Sequence, residues 1–112
     1  MQDKVLNNLK IEAKPGCVAQ ALCVVGNKWT ALILLELAKG PVRFSKLETT
    51  LPGISPRTLS QRLDDMEQMK IITKQAYAEV PPRVEYCLTQ KGRDLLPILK
   101  SMADWGEHYS AK

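Results

Sequence analysis

The sequence is poor in residues that usually carry chemistry. It has one histidine, His108, near its end. No glycine-rich stretch of the kind that cradles phosphate is present, so acid–base and nucleotide-dependent catalysis have no obvious machinery and an enzyme is not expected. The three cysteines, Cys17, Cys23 and Cys87, form neither a paired framework nor a Cys-x-x-Cys, which argues against a disulfide scaffold. No thiol or imidazole pair has the short spacing of a common zinc site, so neither metal nor cofactor is expected. Aromatic residues are only 5% of the chain while 45% is hydrophobic, a balance that excludes disorder and favours an aliphatic, helix-rich core. No apolar run is long enough to span a membrane, and the longest, Ala31 to Leu35, suits a buried helix. The opening MQDKVLNNLK lacks the apolar centre of a secretory signal, so a cytoplasmic protein away from membranes is expected.

What is present fits one domain. A chain of 112 residues can bury a real but small core, and a net charge of +4 leans toward an anionic partner. The stretch LPGISPRTLSQRLDDMEQMKII, Leu51 to Ile72, organises the rest. Ser55 is a good N-cap, and Pro56 follows at the first helical position, where its missing N–H costs nothing. Leu59, Leu63 and Met66 then recur as the buried stripe of an amphipathic helix. Arg57, Thr58, Ser60, Gln61 and Arg62 occupy the other face in the first two turns. These side chains hydrogen-bond base edges and phosphates, so the helix reads as a recognition helix. A solvated polar face without a ligand is the other reading, and Asp64 and Asp65 favour it unless they turn away from a duplex.

The remaining elements group around it. Residues 1–14 are polar and mixed in charge, an N-terminal arm before a domain over 15–112. Cys17, Val18, Ala21, Leu22 and Val25 follow a helical period until Gly26 and Asn27. A second helix is expected from Lys28 to Lys39, broadly apolar at Trp29, Leu32, Ile33, Leu35 and Leu37 and therefore central. Gly40 and Pro41 stop it. Val42 to Phe44 suits a very short strand. Ser45 and Glu48 have capping-box spacing and start a brief helix that Leu51, Pro52 and Gly53 end. Two capped helices around a turn form a helix-turn-helix pattern.

Beyond Ile72 lie two β-prone runs. The second alternates Val84, Tyr86 and Leu88 with Glu85 and Cys87, and Pro81 and Pro82 belong at the tip between them. Such a ribbon behind a recognition helix is the wing of a winged helix, and Arg83 sits where it could touch backbone phosphate or the minor groove, a surface arginine near a loop being the other reading. The fold class is mainly α with a small β-ribbon. Thr89 is expected to cap one last helix to about Tyr109, kinked by Pro97. Its apolar face, Leu95, Leu96, Leu99, Met102, Ala103 and Trp105, is wider than so small a core needs. A second subunit could absorb the surplus, giving a homodimer whose recognition helices read an inverted repeat in double-stranded DNA, with half-sites roughly 34 Å apart.

Charge separates two kinds of partner. From Lys39 to Arg62 the basic residues Lys39, Arg43, Lys46, Arg57 and Arg62 face a single acid, Glu48. That excess favours DNA over the alternative, a winged-helix module for protein–protein contact without DNA.

The stretches GNKWTALILLEL, PVRFSKLETTLPGISPRTLSQRLDDME and EVPPRVEYCLTQKGRDLLPIL together resemble the HxlR-type winged-helix transcriptional regulators, related in architecture to the MarR group. The resemblance runs from Cys17 to Glu107. It implies a dimeric repressor or activator with the Leu59-bearing helix in the major groove and the Val84 strand in the wing. It also implies that the first and last helices build the dimer contact, which would place Val18 and Leu22 there beside Leu99, Met102 and Trp105. Many such regulators respond to electrophiles or oxidants through a cysteine near the start of the first helix, and Cys17 falls at that position. The family commonly has proline directly after that cysteine, where this chain has Val18. Free cysteine is also often simply a small buried hydrophobe, a reading open for Cys17 and stronger for Cys23 and Cys87. His108 reads as a solvated residue or a late-turn cation.

Overall fold

In the computed structural model, residues 15–110 are described, and the N-terminal arm expected over 1–14 lies outside them. Helix α1, Pro15–Val25, is followed by α2, Lys28–Leu37. Asn27, expected only to break the chain, caps α2: its Oδ1 accepts from the amides of Trp29 (3.0 Å) and Thr30 (3.1 Å). The helix ends two residues earlier than expected, with Ala38 as C-cap and Gly40 reversing the chain at φ 134°. Helix α2 is central. It packs on α1, on the recognition-helix candidate, on the sheet and on the last helix. Ile33, Leu34 and Leu37 are buried, but Leu35, expected inside, is exposed, because the neighbouring elements cover only one side of the helix.

Strand β1, Val42–Arg43, runs directly into α3, Phe44–Thr50. This corrects the capping box. Arg43 is the residue before the helix and makes no side-chain cap, while Ser45 already lies inside the first turn. The reason is pairing: Val42 and Arg43 are held extended opposite Tyr86 and Glu85, which fixes where the helix can begin. Gly53, at φ 89°, then turns the chain into α4, Pro56–Gln68. The Ser55 hydroxyl accepts from the Thr58 amide at 3.0 Å, and Pro56 occupies the first turn as expected. Leu59, Leu63 and Met66 are fully buried.

The end of α4 has no glycine, yet it closes as a Schellman motif. Lys70 adopts φ 62°, its amide donates to Glu67 O, and the Ile71 amide donates to Met66 O at 3.1 Å. Ile71 is buried, supplying the apolar contact that accompanies this motif. The reversal launches strand β2, Ile72–Tyr77, which pairs with β3, Arg83–Leu88, in an antiparallel register from Ile72↔Leu88 to Tyr77↔Arg83. The sheet order is β1-β3-β2. Pro81 and Pro82 lie between the long strands, where neither has to donate a ladder bond.

The last helix is two helices. Thr89 caps α5, Gln90–Arg93, accepting from Gly92 N at 3.1 Å, and α6, Leu96–His108, follows after Asp94 and Leu95. Pro97 therefore sits in the first turn of α6, where no intrahelical bond is lost, rather than at an interior kink. Gly92 explains the compactness of this corner. It is buried, and a Cβ there would run into the carbonyl oxygen of Ile71, so α5 can approach the end of α4 only through a glycine. No single described helix is long and apolar enough to cross a membrane. Helices α1 and α2 reach that length only together, bent by 72° at the break between them.

Candidate nucleic-acid interface

The buried stripe of α4 sets the orientation of everything else on it. With Leu59, Leu63 and Met66 inside, Arg57, Ser60 and Gln61 are exposed, in the first two turns. None of the three makes a side-chain hydrogen bond or ion pair among the described residues, so their donors and acceptors are free for a partner. The other two candidates differ. Thr58 is half-buried and takes a hydrogen bond from the Ser55 hydroxyl at 2.8 Å, which ties its oxygen to the cap. Arg62 is half-buried and paired with Asp65 at 3.3 Å, and its Nε is enclosed without a hydrogen-bond partner. Asp65 is thus occupied by Arg62, while Asp64 stays exposed in the third turn and limits the anion-tolerant surface to the first two.

Around this helix, Arg43 and Lys46 are exposed before and within α3. A cleft of about 510 Å³ separates the start of α3 from the wing, lined by Arg43, Phe44, Ser45, Lys74 and Tyr86 and, at the wing tip, by Glu79 and the run from Pro81 to Val84. Lys74 was missed in the sequence, because a lone lysine in an alternating strand carries no signal. The register places it beside Tyr86, facing α3 across the cleft. Tyr86 itself is buried, and burial pushes its phenol up, with Glu67 and Asp64 adding in the same direction. Arg83 lies in the wing over the Tyr77 ring and between two carboxylates.

The residues expected at a dimer contact divide. Val18 and Leu22 of α1 are exposed, as are Met102 and Trp105 of α6. Leu99 is not: at 4% exposure it belongs to the chain's own core, since it lies on the side of α6 that meets α2. Ile98 and Tyr109 are exposed instead, so Ile98, Met102, Trp105 and the C-cap Tyr109 form one exposed stripe along α6, with the Trp105 and Tyr109 rings 5.2 Å apart.

Cys17 lies in the first turn of α1 and is exposed; Cys23 is exposed too, where a buried hydrophobe was the stronger expectation, and Cys87 is half-buried in β3. Both α1 thiols open onto a groove of about 430 Å³ that also touches Met69, Ile71, Lys91 and Leu95. Among the described residues no group of three or more potential ligands could hold a metal ion. His108, in the last turn of α6, meets the edge of Tyr109.

Comparison with known proteins agrees with this geometry. The model of the HxlR-like helix-turn-helix family matches residues 24–112. An HTH-type transcriptional regulator of Methanothermobacter thermautotrophicus is 42% identical over 94 residues, covering 84% of this chain and 72% of that protein. Among solved structures, the redox regulator HypR in its oxidized form superposes with a TM-score of 0.79 at 36% identity, covering 85% of this chain and 98% of HypR. The reduced form of the transcriptional regulator YodB from Bacillus subtilis gives 0.73 at 35% identity, covering 82% and 90%. The free polar turns of α4, the capped turn before it and the wing behind it are thus the parts of a winged helix-turn-helix transcriptional regulator, and the chain belongs to the HxlR-like helix-turn-helix family.

Proposed function

We propose that the protein is a dimeric, sequence-specific DNA-binding regulator that reads an inverted repeat. The observation that carries this is α4: one face fully buried, the other offering Arg57, Ser60 and Gln61 unpartnered in its first two turns. These three are the base readers, with Arg57 suited to guanine and Gln61 to adenine in the major groove. Ser55, Thr58 and Arg62 hold or flank the reading turns, and Arg43 and Lys46 meet backbone phosphates. A second copy covers the α6 stripe and the exposed Val18 and Leu22. Random-site selection on duplex DNA should return an inverted repeat, and affinity should fall steeply as salt rises. Alanine at Arg57 or Gln61 should cost about 1–3 kcal/mol and relax specificity at one position. Binding that ignores salt, or selection that returns no repeat, would favour a winged helix used for protein contact.

Cys17 is the regulatory thiol in this reading. It is exposed in the first turn of α1, within reach of a reagent from solvent, and α1 carries part of the proposed dimer face. Modification by an electrophile or oxidant would add bulk there and turn the paired α4 helices out of register. HypR, whose fold the chain shares, is a redox regulator, which supports the reading. Treatment with diamide should lower DNA affinity of the natural sequence while Cys17→Ser resists; equal loss in both would remove Cys17 from the mechanism.

A further inference from the structure

Three cations line the cleft between the start of α3 and the wing, Arg43, Lys74 and Arg83, and they are not equivalent. The Arg83 guanidinium lies 4.0 Å from the centroid of the Tyr77 ring. One terminal nitrogen is 3.0 Å from Glu79, and Nε is 3.6 Å from Glu85. The side chain is only 25% exposed, and Nε is enclosed without a hydrogen-bond partner. Two carboxylates therefore face one guanidinium, so the cluster as a whole is anionic and a phosphate approaching Arg83 would meet Glu79 first. Lys74 and Arg43 are the reverse case. Both are exposed, and neither has an ion pair among the described residues.

We propose that Lys74 on the wing and Arg43 across the cleft from it are contacts to the DNA backbone, and that Arg83 is a positioning residue that holds the wing tip in place for them. This rests on the DNA-binding reading above. Arg83 suits the positioning role because its planar group can stack on Tyr77 and take two carboxylates at once, which a lysine cannot do. It ties Glu79, beyond the end of β2, to Glu85 within β3, across the turn where the Glu79 amide donates to Tyr77 O at 2.9 Å. Lys74 then keeps its place beside Tyr86, opposite Arg43, on the two sides of the cleft.

The test is the salt dependence of duplex binding, using one selected site and one random duplex. Lys74→Ala and Arg43→Ala should each weaken both duplexes alike and reduce the slope of log affinity against log salt by about 0.9, the value for one lost phosphate contact. The double variant Glu79→Gln with Arg83→Gln leaves net charge unchanged and should keep the natural slope while losing affinity. In the free protein, amide hydrogen exchange at Glu79 should quicken in Arg83→Gln and in Arg83→Lys, since lysine restores charge but not the stack. A slope that drops in the charge-balanced double variant and holds in Lys74→Ala would overturn the assignment. Unchanged exchange at Glu79 would overturn the positioning role by itself. Absence of duplex binding by the natural sequence would instead defeat the DNA-binding reading and the Lys74 and Arg43 contacts with it.

Discussion

Trp105→Glu should split the proposed dimer into monomers and lower affinity for the proposed two-half-site operator by about 10²- to 10⁴-fold, the range lost when two linked binding events become one. Trp105 is 67% exposed and lies mid-stripe between Met102 and Tyr109, with Ile98 one turn further back. A contiguous apolar stripe of this kind on a small regulator is unusual unless something covers it. Because the side chain touches little of its own core, a charge there should leave the fold intact. Binding to an isolated half-site should therefore be unchanged, which separates lost dimerisation from lost folding. Sedimentation of the variant and titration against whole and half operators check both parts. A variant that stays dimeric would move the subunit contact away from α6.

Leu63→Ala should cost about 2–5 kcal/mol of stability, the transfer and cavity terms for a large buried aliphatic side chain. Leu63 has no exposed surface and sits in the middle of the stripe by which α4 packs on α2 and β2. For a domain of this size that is a large share of the total, so the melting temperature should fall by many degrees. Leu35→Ala is the control. Leu35 is equally aliphatic but 41% exposed on α2, and its loss should change the melt little. Similar costs for the two would show that the helices are rotated relative to this account.

Much of this protein was determined by its sequence because the relevant forces are local. The Ser55–Pro56 start and the Leu59, Leu63, Met66 spacing are decided within a few residues, by capping and by the helical period, and the structure matches both. The same holds for the prolines at the wing tip and the Thr89 cap. Function class was legible for the same reason, since the exposed polar turns of α4 are one continuous stretch. The capping box at Ser45 failed because pairing of Val42 and Arg43 with a strand more than forty residues away set the helix start. Pro97 could not reveal that the last helix divides before it, since proline tolerates a first turn as readily as it disrupts an interior one. Lys70 closes α4 in a left-handed conformation that favours glycine, held there by the burial of Ile71 on the far side of the turn. Leu99 and Leu35 exchanged their expected places because helical spacing names an apolar face but not which neighbours cover it. The sorting of the cations followed the same rule: Arg57, Arg62, Lys74 and Arg83 carry the same charge in the sequence, and only the acids and rings that the fold brings beside them decide which remain free.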